Sequence, residues 1–223
     1  MKALKAIGLV VLAIAAAAAI VGAGTGSATT LCKENKDECP AGMRYPEKQL
    51  IEGQILFGHT FNFFALSGKT LMFEAHCEAA PLVWETTKNN GPEAVLKGTL
   101  KSLKFTLCKE SSECEAVEML YLPYTAELLG SVGKVGQGLL WLSNGGTGKP
   151  TLRLTNCGKF GANCNYEASG ETRIWVEGAM AAQASALWKM PSEGANLICG
   201  AEVEASGFFE FTSPKQMWAE AKP

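Results

Sequence analysis

The sequence predicts an all-β fold, an antiparallel β-sandwich of jelly-roll-like kind, stapled by disulfides and preceded by an N-terminal signal-peptide helix. Three observations point there. Apolar and polar residues alternate with period two along most of the chain, and Gly, Asn and Pro clusters separate the alternating segments. The chain also carries an even number of cysteines, eight, behind a leader of export type. With 223 residues, 47% hydrophobic and 19% charged, the composition is that of a protein with a packed core rather than a disordered or polytopic membrane chain.

The leader comes first. Lys2 and Lys5 precede an uninterrupted apolar stretch from Ala6 to about Gly24, and Gly26-Ser27-Ala28 supplies the small residues that a signal peptidase reads. The expected division is therefore a signal peptide over 1–28, cleaved before Thr29, and one all-β domain over 29–223. An uncleaved membrane anchor is the rival, because the run reaches the lower edge of a bilayer span. Leu31 before Cys32 argues against a lipid anchor, since a lipobox wants a small residue there. Cleavage removes two lysines and no acid, taking the formal charge from −2 to −4. Neither value gives the basic footprint of a nucleic-acid binder.

Six of the cysteines fall in three close pairs, Cys32/Cys39, Cys108/Cys114 and Cys157/Cys164, with Cys77 and Cys199 far apart. Eight cysteines allow 105 pairings in principle. The charged, Ser, Asn and Gly residues inside each close pair suit cross-linked hairpin tips, so the expected bonds are 32–39, 108–114, 157–164 and 77–199. On chain entropy the long bond dominates, at about 5 kcal/mol against roughly 2.5 for each short loop. The gaps are too wide for paired zinc ligands, and no Cys-x-x-Cys redox motif occurs. No metal and no cofactor is expected.

Along the mature chain, Leu71, Phe73 and Ala75 share one face, and so do Leu103, Phe105 and Leu107, and Leu152 and Leu154. Val203, Ala205, Phe209 and Phe211 line another, opposite Glu202, Glu204, Ser206 and Glu210. Further strands are expected around 49–57, 60–66, 81–86, 115–121, 124–129, 137–142, 164–169 and 172–178. The Ala-rich segment 180–190 lies between strands and stops at Pro191, which favours a strand over its helical composition. Turns are expected at Asn89–Pro92, Gly130–Gly136 and Ser143–Pro150. A dozen short strands at this spacing make a sandwich or jelly roll.

Several short segments carry a resemblance: Leu122-Pro-Tyr-Thr-Ala126, the Asn156-Cys157 to Asn163-Cys164-Asn165-Tyr166 turn, Ile198-Cys-Gly200 and Thr212-Ser-Pro214. With the early cysteine turn, they resemble a group of uncharacterised secreted proteins of bacteria without an assigned activity. The resemblance covers the mature chain and implies an all-β extracellular protein. It transfers no active site.

Catalytic equipment is sparse. The chain has two histidines, His59 and His76, and a single aspartate, Asp37. The turn Gly145–Thr151 lacks the first glycine and the hydroxyl residue of a phosphate loop. No Gly-x-Ser-x-Gly elbow occurs. Glutamates are scattered singly over polar strand faces, and Glu171 and Glu177 flanking a Trp are the nearest approach to an acid/base pair. Calcium loops lack their carboxylate clusters.

The binding signal is aromatic. On Thr172–Glu177, Ile174 and Val176 take one face, which leaves Trp175 with Arg173 and Glu177 on the polar one. Phe208 falls likewise among Glu204, Ser206 and Glu210. Exposed rings beside charged groups stack on sugars or anchor partners. Trp84, Trp141, Trp188 and Trp218 read as packing residues. The function expected is therefore a secreted, non-enzymatic binding or structural role in the extracellular space or cell envelope, with a glycan or a cell-surface protein as partner. A secreted carbohydrate-active hydrolase using a Glu pair and a membrane-tethered surface protein are the alternatives.

Overall fold

The computed structural model describes residues 28–34, 39–88, 96–108, 113–130, 137–143, 149–168, 172–177, 183–193 and 198–222. The signal-peptide reading of residues 1–27, Asp37, the turns at 89–92, 131–136 and 144–148, and Glu171 lie outside them. The described chain is all-β and antiparallel throughout. In order it forms β1 (Ala28–Cys32), a 3-10 turn (Ala41–Met43), β2 (Leu50–Ile55), β3 (Phe61–Ser67), β4 (Thr70–Cys77) and β5 (Leu82–Lys88). There follow β6 (Leu96–Leu103), β7 (Ala116–Leu120), β8 (Tyr124–Gly130), β9 (Gln137–Ser143) and β10 (Thr151–Cys157). The last are β11 (Ala162–Glu167), β12 (Thr172–Glu177), β13 (Gln183–Pro191), β14 (Glu202–Ser213) and β15 (Trp218–Lys222). Residues 183–191 are thus strand, as their position between strands required.

The largest sheet has the order β13-β12-β9-β8-β6-β5-β2-β14-β3-β4, and β13 also pairs with β14. That extra pairing rolls the sheet over on itself, so that opposite walls face each other across the core and eight strands form a closed hydrogen-bonded ring. β14 makes the closure possible because it is long. Its first half pairs with β3 and its second with β2, while β13 follows its other edge from Glu202 to Glu210. A three-stranded sheet β11-β10-β7 and a two-stranded ribbon β1-β15 complete the fold. The ribbon packs against β6, β8 and β9.

Alternation decides what is buried. Val203, Ala205, Phe209 and Phe211 of β14 face the core, and Glu202, Glu204, Ser206 and Glu210 do not. The outward faces carry ion pairs, Lys97–Glu127 at 2.8 Å and Lys101–Glu85 at 2.6 Å. Inside, Phe61 meets Phe63, Phe105, Trp188 and Phe209 with ring centroids 5.0–5.4 Å apart. Such pairs add about 0.5–1.5 kcal/mol each beyond area burial. Two glycines make room for rings: a Cβ at Gly98 would overlap the Trp84 indole, and one at Gly207 would overlap Phe61. Trp84, Trp188 and Trp218 are buried, as expected of packing residues; the Trp141 side chain lies outside the described residues.

Two of the predicted strand faces need correction. Leu71 is exposed although Phe73 and Ala75 on its own face are buried. A register shift between Ala65 and Leu66 in the β3–β4 pair takes it out of phase. β6 ends at Leu103, and Leu107 is 52% exposed rather than buried with Leu103 and Phe105. Leu107 has φ 54°, a left-handed conformation that ends the alternation there.

All eight cysteines are bonded, but three of the four expected pairings are replaced. The bonds are Cys32–Cys39, Cys77–Cys108, Cys114–Cys157 and Cys164–Cys199. The β10–β11 hairpin shows why Cys157 and Cys164 do not pair. Its register sets Cys164 opposite Leu154 and Cys157 opposite Ala162, so the two sulfurs are not cross-strand partners. Instead Glu115 N–H donates to Thr155 C=O and Gly158 N–H to Glu113 C=O, which lays Cys114 beside Cys157 with 4.0 Å between Cα atoms. Glu78 N–H donating to Leu107 C=O brings Cys108 to Cys77 in the same way. Cys164–Cys199 then ties the small sheet to the chain entering β14.

Candidate binding groove

The groove begins with a turn. Between β2 and β3, His59 N–H donates to Leu56 C=O at 3.0 Å, and Gly58 sits at the third turn position with φ 78°. That is the arrangement of a type II turn, which requires glycine there. Leu56 N–H also donates to Phe208 C=O at 2.9 Å, pinning the turn to β14. Phe57, at the tip, is consequently 92% exposed. The His59 ring meets Phe208 edge-on, centroids 5.5 Å apart, and Phe208 is itself 40% exposed.

The opposite wall is built by a disulfide. Cys77–Cys108 holds Glu78, which follows one cysteine, beside Leu107, which precedes the other. Ala79 N–H donates to Thr106 C=O at 3.2 Å and locks the two segments in register. The two walls enclose a groove of about 480 Å³ lined by Ile55, Phe57, His59, Glu78, Ala79 and Leu107 among others. Its lining combines the rings of Phe57 and His59 and several aliphatic side chains with the polar Gln54 and Thr60, and Glu78 and His59 are its titratable side chains among the described residues. Such a lining stacks on an apolar ring and offers one carboxylate to a hydroxyl or an amine.

Among the sequence-derived candidates, Phe208 borders this groove. Trp175 lies in β12 opposite Leu139 of β9 and Ser185 of β13. The side chains of Trp175, Arg173 and Glu177 lie outside the described residues. His76 lies elsewhere, its Nδ1 2.6 Å from Asn62 Oδ1 and its Nε2 3.4 Å from Glu74 Oε1. Lys149, from the phosphate-loop-like turn, pairs with Glu167 at 2.5 Å. Among the described residues no three His, Cys, Asp or Glu side chains are grouped to hold a metal.

Phe57 and Leu107 are the site residues that alternation misses. Both look like core positions in a hydrophobic run, and only the adjacent Gly58 and the cysteine after Leu107 hint at a turn. Among the described residues no helix is long and apolar enough to cross a membrane. No known protein family, curated protein or solved structure matches the chain.

Proposed function

We propose that the protein is an exported, non-catalytic binding module of the extracellular space or cell envelope, and that the Phe57–Phe208 groove takes a glycan. One observation carries the reading: an almost fully solvent-open phenylalanine at a glycine turn that is hydrogen-bonded to the backbone of Phe208, in a groove that holds one carboxylate, Glu78. Exposing Phe57 has no benefit to folding, because apolar burial is what stabilises a fold. Four disulfides fit an oxidising compartment, and the leader's residue pattern fits export there.

The test is co-sedimentation with purified cell wall and a broad panel of insoluble polysaccharides. Phe57→Ala should abolish binding, whereas Phe160→Ala, at an 82% exposed ring on the β10–β11 turn, should keep it. Equal loss in both variants, or binding to nothing in the panel, defeats the glycan assignment. Turnover of chromogenic glycosides by the wild-type protein defeats the non-catalytic one. N-terminal sequencing of the exported product should begin at Thr29; an intact leader would establish the tethered form.

A further inference from the structure

We propose that the Phe57 groove selects a cationic sugar, a glycan whose residues carry a free amine and bind as the ammonium. The inference rests on the glycan reading of the groove and adds the substituent that the sugar carries. Two walls of unlike chemistry meet there. The β2–β3 turn supplies Phe57, almost fully exposed, and the His59 ring packed edge-on against Phe208. The cystine wall supplies Glu78 and Leu107, each next to one end of the Cys77–Cys108 bond. Both walls line one space of about 480 Å³, so a sugar stacked on Phe57 shares that space with the carboxylate.

Charge selects the substituent. Among the described residues Glu78 is the one carboxylate in the lining, and no lysine or arginine joins it there. Its side chain is exposed and has no hydrogen bond or ion pair among the described residues. On the strand faces Glu85, Glu127 and Glu167 each meet a lysine within 2.8 Å. Gln54, which also lines the groove, donates its Nε2 to Glu210 at 2.8 Å and so does not answer Glu78. Glu47, Glu52 and Glu118 are unpaired as well, but none of them lines this groove.

An ionised carboxylate accepts hydrogen bonds and donates none, so a hydroxyl answers it weakly and an ammonium more strongly. The face of a phenylalanine ring is negative and attracts the same cation. Carboxylate and ring therefore favour one charge. A uronic acid or a sulfated sugar would bring a second anion to Glu78 and be repelled. An acetylated amine keeps the sugar's shape but lacks the charge that both groups prefer.

Tetrasaccharides of glucose, N-acetylglucosamine and glucosamine with the same linkage differ only in the group on the second carbon. They are titrated calorimetrically into the disulfide-bonded protein, in buffer that keeps the amine protonated and Glu78 ionised. The glucosamine tetramer should bind about tenfold tighter than the other two. Glu78→Gln should remove that preference without lowering the melting temperature, and Phe57→Ala should abolish binding. Glu118→Gln, the same charge change outside the groove, should keep the preference. Equal affinity for the three, or preference for a neutral one, overturns the amine and leaves the glycan reading standing. So does binding of none of the three by a protein that still binds another polysaccharide of the panel, whereas binding of no glycan at all removes both readings. A preference that survives Glu78→Gln or Phe57→Ala, or that Glu118→Gln also removes, overturns the proposal, because surface charge at large then holds the polycation.

Discussion

Trp84 lies against the bare backbone of Gly98 on the neighbouring strand, so close that a methyl group there would occupy the space of the indole ring. The two residues are one packing unit, a large ring seated where its neighbour has no side chain. Gly98→Ala should destabilise the protein by about 1–3 kcal/mol through overpacking, and Trp84→Ala by about 3–5 kcal/mol through the cavity left behind. Chemical denaturation of Gly98→Ala, Trp84→Leu and the double variant checks the coupling. The double variant should lose clearly less than the sum of the singles.

The cross-links make a second prediction. Cys77–Cys108, Cys114–Cys157 and Cys164–Cys199 close loops of 31, 43 and 35 residues. Chain entropy then assigns each about 4 kcal/mol, against about 2.4 for the short Cys32–Cys39 loop. Replacing each pair by alanines should give three similar losses of stability and one smaller loss. Non-reducing peptide mapping should recover these four linked pairs and no 77–199 peptide.

Alkaline pH tests the core. Burial pushes the hydroxyls of Tyr45, Tyr124 and Tyr166 above their ordinary value near 10. The fold keeps them neutral, while the unfolded chain ionises them at that ordinary value. Their contribution is present in full below pH 10 and is lost as pH rises through the higher folded values. Ultraviolet titration should therefore show delayed ionisation that coincides with loss of near-ultraviolet circular dichroism. Tyr166→Phe should blunt this pH dependence, and it should cost about 1 kcal/mol at neutral pH by removing the 2.5 Å hydrogen bond to Cys199 C=O.

Surface charge should matter little. Lys189 meets Glu202 at 2.8 Å and Glu204 at 3.3 Å on the outward face of β13 and β14, in open solvent. Lys189→Met should leave the melting temperature unchanged within error at moderate salt. A large drop would mean that this pair of strands depends on the ion pairs rather than on the ring closure behind them.

Phe57→Ser offers the sharpest separation of binding from folding. The side chain is 92% exposed, so stability should shift by less than about 0.5 kcal/mol. Groove binding should nonetheless disappear. Thermal melts of the variant beside its binding curves decide the point.

Much of this molecule is written in its alternation. Because side chains of a strand point to opposite faces in turn, the pattern of β14 alone marks Val203, Ala205, Phe209 and Phe211 as buried and leaves Phe208 outward. That local rule found one border of the groove. It could not find Phe57 or Leu107, whose exposure comes from turns pinned by hydrogen bonds to segments far along the chain.

Alternation, turn chemistry and an even cysteine count determined an antiparallel, cross-linked β protein, since each depends on residues a few positions apart. Only the folded chain decided which cysteines meet, that β13 reaches β14 to close the ring, and that Glu78 stands beside Leu107. Those are matters of register between distant strands. The β10–β11 hairpin sets Cys164 opposite Leu154 and Cys157 opposite Ala162, so each sulfur finds its partner outside the hairpin although the local pattern had suggested one within it.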